Sequence, residues 1–311
     1  MPVFNAISFV DDAIASILSQ SYGDFEFVIV DDGSTDGTHR KLEQWANSDQ
    51  RIQVVQSEHV GVTDALNLGL AKIHADYVAR MDADDIALPE RFARQVDFLD
   101  QHPSVVAVGS TLLVIDADGD ILGIMPWHQT HTEIERALLR GRGGLPHPAA
   151  MIRHSAIRKI GGYRSEFRYA QDKDLWLRLS EQGKLANLPE TLLLYREHEH
   201  KIGIARLREQ QAAAEQAIRN AHQRRGIPFR CSPFPTSSQR NDHRYNWARR
   251  AYRNGYYKTA RKHLHASWQT TPWSPRSWLL AAIIAAKSAF SKNSHKGVMC
   301  APSMLKINAA R

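Results

Sequence analysis

Two acidic clusters stand in the first hundred residues. Asp31-Asp32-Gly33-Ser34 follows the apolar run 25–30 (FEFVIV), and Asp82-Ala83-Asp84-Asp85 follows the run 76–81 (DYVARM). Carboxylates at this density can hold a hard cation through oxygen or accept hydrogen bonds from a polar ligand. One acidic turn alone is also the composition of a solvated loop or a helix cap. Two of them, each ending a strand, favour a ligand site, because open α/β sheets bind ligands beyond the carboxyl ends of their strands. A third acidic run, Asp116 to Asp120, has the composition of a calcium loop. It lacks the downstream Glu at the required spacing and reads as a hairpin turn.

The elements that must position these clusters follow from patterning. Residues 25–30, 52–56 and 76–81 read as strands. Between and after them, 38–47, 61–75 and 89–102 read as helices, with Ser34 or Thr35 as a cap for the first and Pro89 opening the last. Strands alternating with helices point to α/β and a parallel, doubly wound sheet. Further on, 105–115 and 121–125 read as a hairpin, 132–141 as a helix, 149–152 as a strand and 172–182 as a helix.

The chain has 311 residues and 43% apolar residues, enough for one large α/β domain with an appendage or for two domains. Nothing in it reaches the length of a spanning helix. Two cysteines, Cys231 and Cys300, make neither a disulfide framework nor a zinc site by themselves. The start of the chain has no secretory pattern. Cytoplasm is the expected compartment. The net charge of +7 hides an asymmetry: residues 1–200 carry 19 Lys/Arg and 30 Asp/Glu, while 201–311 carry 21 and 3. Domains are therefore expected at 1–200 and 201–311, the second a basic helical extension.

Within that extension, 204–225, 245–270 and 277–292 read as helical, 228–243 as a Pro/Ser-rich linker, and the residues from Ser294 as a frayed tail. Ala248, Gly255, Ala260, Leu264 and Pro272 fall near the spacing of one tetratricopeptide unit, which alone makes a helical hairpin rather than a solenoid. Trp247, Trp268, Trp273 and Trp278 lie among Arg249, Arg250, Arg253, Lys258, Arg261, Lys262 and Arg276. Two readings stay open. These residues suit an anionic membrane surface, placing the chain peripherally at the inner face of the cytoplasmic membrane. Or the tryptophans pack a hairpin and the cations face the acidic first part. No nucleic-acid recognition motif is visible, so that partner is not expected.

Taken in order, PVFN (2–5), SILSQSYGDFEFVIVDDGSTDGT (16–38), GVTDALNLGL (61–70), ARMDADDIALPERF (79–92), HPAAMIR (147–153), GGYR (161–164), AQDKDLWLRL (170–179) and LYREH (194–198) resemble the family-2 inverting glycosyltransferases of GT-A fold. The likeness is to bacterial enzymes of cell-surface polysaccharide assembly and covers about residues 1–200. It implies a Rossmann-like, mostly parallel sheet. It also implies transfer of a sugar from a nucleotide-diphosphate donor, UDP by default, to a saccharide or lipid-linked acceptor. The family has a full strand before P-V-F-N. Only Met1 precedes Pro2 here, so the resemblance implies a truncated first strand. Met1 as an internal methionine of a longer protein is favoured over a lost central strand, which would leave two unpaired edges.

The resemblance also assigns residues. Asp82-Ala83-Asp84 matches the D-x-D motif, with Asp84 as metal ligand and Asp82 reaching the ribose or the metal, Mg²⁺ or Mn²⁺, and with Asp85 in support. The metal offsets the charge of the leaving diphosphate. His198 matches a histidine near metal or diphosphate, with His200 as a competitor. Asp32 matches the acid that accepts from the base. Pro2, Val3, Asn5 and Asn67 match donor-nucleotide positions. Asp172 matches the base that takes the acceptor proton. Its neighbour, usually acidic, is Gln171, and Asp174 is expected to point elsewhere. His147 is a candidate wall of the acceptor pocket. The Q-x-x-R-W of processive members is missing, which implies single additions. A sugar nucleotidyltransferase would need a glycine-rich basic loop that 5–10 do not supply. The set Asp82, Asp84 and Asp172 argues against a catalytically silent binding protein.

Overall fold

The structure, a computed structural model, describes residues 1–199, 207–230 and 243–291. The chain divides into two compact units, Met1–Asn241 and Asp242–Arg311.

In the first unit, β1 (Pro2–Val3), β2 (Phe27–Asp31) and β3 (Ile52–Gln56) form a parallel sheet in that order. All five residues of β2 are buried, as an apolar, β-rich run must be when helices cover both faces of a parallel sheet. Helices α1 (Val10–Leu18) and α2 (Thr38–Ser48) connect its strands, and α3 (Val62–Leu70) leaves it. The short β1 pairs with β2 through Val3, whose carbonyl accepts from Asp32 N at 2.8 Å.

The second sheet holds β4 (Tyr77–Ala79), β8 (Met151–Arg153), β6 (Val105–Ile115), β9 (Lys184–Arg196) and β5 (Ile86–Ala87) in that spatial order. The hairpin strand β7 (Ile121–Met125) lies on β6. Parallel pairing, expected for most of the sheet, holds for the first sheet and for β6 with β9, and the hairpin expected over 105–125 is β6 with β7. The other pairings of the second sheet are antiparallel. Helices α4 (Arg91–Gln101), α5 (His131–Leu139), α6 (His154–Lys159) and α7 (Gln171–Leu179) surround it. Thr130 and Glu133 close a reciprocal capping box that starts α5.

The sequence pattern misses β9, the longest strand. Pro189 in its middle reads as a breaker. In the structure Ser110 pairs with Leu188 and the next residue, Thr111, with Thr191, so Pro189 and Glu190 loop out as a bulge. The 149–152 strand is also displaced: His147–Ala149 make a 3₁₀ turn and β8 starts at Met151.

The domain boundary falls at 241/242 rather than at 200/201. Helix α8 (Leu207–Arg224) places Ala217, Ile218 and Ala221 in the same core as Trp176, and Arg224 and Arg225 pair with Glu181. The charge shift at 200 marks a change of composition, while packing continues past it.

Among the described residues the second unit holds three helices, α9 (His243–Arg253), α10 (Tyr257–Thr270) and α11 (Pro275–Ser291). The helical stretch expected over 245–270, with its hairpin spacing, turns at Gly255, which has a φ of 82° that a side chain would strain. Helices α9 and α10 then fold back as a hairpin, with Trp247 edge-on to His263 at 5.2 Å. The 231–242 part of the expected linker and the tail from Ser294 lie outside the described residues.

Candidate active site

The loop after β4 carries Asp82, Asp84 and Asp85, whose nearest carboxylate oxygens all lie within 4.8 Å of one another. Like charges this close need counter-charge. Arg80, itself buried, forms an ion pair with Asp82. Asp84 Oδ2 lies 2.9 Å from His198 Nε2. Asp85, fully buried, accepts from Arg196 N at 2.9 Å.

Arg196, at the end of β9, is the clamp on this loop. Its Nε donates to the Asp84 carbonyl at 2.8 Å, Nη1 to the Ala117 carbonyl at 2.9 Å, and Nη2 to Asp12 Oδ2 at 3.0 Å. Its guanidinium also sits 4.9 Å from the Phe9 ring, which lies 5.0 Å from the ring of His198. A second buried arginine, Arg91 on α4, holds the near side. It donates to the Arg80 carbonyl at 2.5 Å and to Met81 Sδ at 3.4 Å, and burial beside Arg80 lowers its pKa to about 9. Neighbouring Gln95 donates to the Ala149 carbonyl at 2.7 Å. In the sequence these arginines stand inside the motifs 79–92 and 194–198 with no role of their own. Arginine is seldom buried, so nothing in composition or periodicity marks one that is.

Asp172 lies in the first turn of α7, half-buried, and among the described residues no hydrogen bond or ion pair engages its carboxylate. Asp174 does the opposite. It is 1% exposed and bound by Arg178 and Arg164. Arg178 extends the tie to the carbonyls of Ile160 and Gly162, at 2.9 and 2.8 Å. The expectation that Asp174 points away from the site therefore matches its surroundings.

Tyr163 links the two acidic regions electrostatically. Burial raises its pKa first, and the charges of Asp172 and Asp82 raise it further against the opposing Arg80. Its hydroxyl lies 2.8 Å from His147 Nε2. His147 is buried against Tyr163 and Trp176, and burial, with Arg80 nearby, holds its pKa well below the usual histidine value. It is a neutral core group rather than an open pocket wall.

Asn67 anchors this tyrosine. Its Nδ2 donates to the Tyr163 carbonyl at 2.8 Å and its Oδ1 accepts from Tyr163 N at 2.9 Å. The amide assigned to the nucleotide is thus engaged at both ends by backbone. Asp32 is engaged similarly. It accepts from Ser57 Oγ at 2.8 Å, Val60 N at 2.7 Å and Gly61 N at 2.9 Å, tying the loop after β3 to β2. Asp31 accepts from Ser34 N and pairs with His39, which structures the turn.

Asn5 adopts a left-handed φ of 48°, which asparagine tolerates better than most residues, and its Oδ1 accepts from Thr35 N at 2.8 Å. Phe4, half-exposed, packs on His59 with ring centroids 4.1 Å apart. This leaves an apolar ring at the carboxyl edge of the first sheet, over the turns that Asn5 and Asp32 hold. His200 lies outside the described residues.

The arrangement offers three oxygen ligands and one imidazole, a donor set that suits Mg²⁺ or Mn²⁺. It also offers the Asp172 carboxylate, which no hydrogen bond or ion pair engages among the described residues, and an exposed ring near a parallel-sheet edge.

The model of the family described as "Glycosyl transferase family 2" matches residues 1–161, more than half of the chain. The chain belongs to glycosyltransferase family 2. It is 37% identical over 206 residues to the putative glycosyltransferase EpsE of Bacillus subtilis (strain 168), covering 63% of this chain and 71% of that protein. It is 31% identical over 202 residues to the O-antigen biosynthesis glycosyltransferase WbnJ of Escherichia coli, covering 64% and 78%. The mannosyltransferase PcManGT of Pyrobaculum calidifontis, in complex with GDP-Man and Mn²⁺, superimposes with a TM-score of 0.54 at 18% identity. That match covers 94% of this chain and 79% of that one. The fold is accordingly the α/β GT-A-like fold with C-terminal helices. No helix among the described residues is long and apolar enough to cross a membrane.

Proposed function

We propose that the chain transfers single sugars, with inversion, from a nucleoside-diphosphate sugar to an acceptor hydroxyl in cell-surface polysaccharide or lipopolysaccharide assembly. The observation that carries this reading is the contrast between the two acidic regions on either side of Tyr163. Asp82, Asp84, Asp85 and His198 form a cluster braced by Arg80 and Arg196, while among the described residues no hydrogen bond or ion pair engages the Asp172 carboxylate. The relation to WbnJ supports the polysaccharide context.

Asp84, Asp82 and His198 would hold Mg²⁺ or Mn²⁺, with Asp85 fixing the turn behind them. When bound, the cation neutralises the diphosphate as the glycosidic bond breaks. Asp172 takes the proton of the acceptor hydroxyl at a carboxylate oxygen as that hydroxyl attacks the anomeric carbon. The base and ribose lie on the surface framed by Pro2, Val3, Asn5 and Asp32, beside the Phe4 ring. Asn67 contributes by anchoring Tyr163. A UDP-sugar is the expected donor and a saccharide or lipid-linked hydroxyl the acceptor.

The test is a donor screen. UDP-, GDP- and dTDP-sugars are incubated with Mn²⁺ or Mg²⁺ and candidate acceptors, and nucleoside diphosphate release is followed together with the anomeric configuration of the product by NMR. Metal-dependent release with an inverted product is expected. Release of pyrophosphate, or a retained configuration, would sink the proposal.

A further inference from the structure

The structure divides the four tryptophans of the second unit. Trp247 is 9% exposed and packs into the α9–α10 hairpin. Trp268 is half-buried and stacks on Trp278 with centroids 4.6 Å apart. Trp273, by contrast, is 88% exposed, and Trp278 remains 55% exposed. Packing explains the first pair and leaves the second pair in water.

Helix α11 shows why. Ser277, Leu280 and Ile284 are buried, at the spacing of one helical face. The opposite face carries Trp278, Leu279, Ala282 and Ile283, with Leu279 64% and Ile283 39% exposed. A surface helix normally turns polar residues outward, so a helix apolar on both faces needs something to cover the second.

Charge says what. Residues 243–291 hold nine Lys/Arg and no Asp/Glu. On α10, Lys258, Arg261, His265 and Trp268 fall at i, i+3, i+7 and i+10, one stripe opposite the buried face of Thr259, Ala260, His263, Leu264 and Ser267. The stripe ends at Trp268, and Trp268 stacks on Trp278 of α11. A row of basic side chains therefore runs into the aromatic edge of an apolar helix face.

We propose that the second unit docks on an anionic lipid surface, with the outer face of α11 and Trp273 in the headgroup and upper acyl region and the α10 stripe against lipid phosphates. Tryptophan prefers that interface, and apolar burial and cation attraction act together there. A second copy of the chain fits less well, since it would bring the same cations against themselves. Nucleic acid would leave the aliphatic faces of Leu279 and Ile283 without a use. The inference is independent of the donor chemistry.

The test uses the full chain, with vesicles of phosphatidylcholine alone and of an equimolar mixture with phosphatidylglycerol. Co-sedimentation is expected with the mixture only, and salt should weaken it. Lys258→Gln should weaken binding roughly fivefold, the change that ~1 kcal/mol per cation implies. Leu279→Glu should weaken it by roughly tenfold or more, since it puts a charge where an apolar side chain would bury. Trp273→Phe should remove a blue-shifted part of the tryptophan emission on binding. Thermal melts of each variant verify folding. A wild-type chain that stays in the supernatant with anionic vesicles overturns the proposal, as does a folded Leu279→Glu that sediments undiminished. So does sedimentation velocity showing a dimer that Leu279→Glu dissolves while no vesicle is bound, because the face then belongs to a second copy.

Discussion

His198 Nε2 approaches Asp84 Oδ2 to 2.9 Å across 114 residues of chain. One is the last strand's contribution to the site and the other belongs to the loop after β4. Asp84→Ala is expected to abolish transfer and to remove the metal dependence of donor binding. His198→Asn should raise the Mn²⁺ concentration needed for half-maximal activity by roughly 10–100-fold. Calorimetry of nucleotide binding, with and without Mn²⁺, checks both. Full activity of Asp84→Ala, or of wild type in EDTA, excludes the metal assignment.

Asp172 and Asp174 should separate cleanly. Asp172→Asn is expected to lower turnover by roughly 10²–10⁴-fold, the scale of a lost general base, with nucleotide affinity and melting temperature kept. Asp174→Asn leaves the buried Arg178 without its counter-charge and should destabilise the fold by about 3–5 kcal/mol. Denaturant melts and steady-state kinetics on the same preparations decide. A destabilised Asp172→Asn would make that residue structural.

Arg196→Lys keeps a cation and loses the fork that spans the Asp84 carbonyl, the Ala117 carbonyl and Asp12. The acidic turn should loosen, and apparent metal affinity should fall roughly tenfold or more. An unchanged metal titration in a folded variant would deny Arg196 its positioning role.

His147 makes a stability prediction with a definite sign. Burial and Arg80 hold its folded pKa well below 6.5. The unfolded chain therefore binds a proton below pH ~6.5 that the native protein refuses, and stability falls as pH drops through that range, by at most ~1.4 kcal/mol per pH unit from this group. His147→Gln should flatten the pH dependence between 7 and 5 relative to wild type. Parallel curves for the two proteins would show that His147 does not titrate on unfolding.

Much of the site is readable from spacing, because strand-ending acids need only local sequence to announce themselves. The Asp82–Asp85 loop, the hairpin 105–125 and the helix bearing Asp172 all stand where patterning puts them. What patterning misses is set by distant contacts. Strand β9 carries a proline that only its bulge opposite Ser110 and Thr111 accommodates. Asn67 reads as a ligand residue until its amide is seen on the Tyr163 backbone, 96 residues away. Arg91 and Arg196 look like surface cations in a linear sequence and are 0% and 3% exposed in the fold. The basic composition that begins near 201 says nothing of where packing stops, so α8 escapes into the wrong domain.

Strand β9 supplies Arg196 and leads to His198, so the acidic turn is completed by residues more than a hundred positions further along the chain. During synthesis the 114 residues between Asp84 and His198 take about 5 to 25 s to emerge at typical elongation rates. Helices and hairpins form in microseconds, so the first parallel sheet can assemble long before the turn receives its brace. On the ribosome this protein carries its triad of carboxylates without the Arg196 brace for seconds, and the turn they share closes only once β9 has emerged.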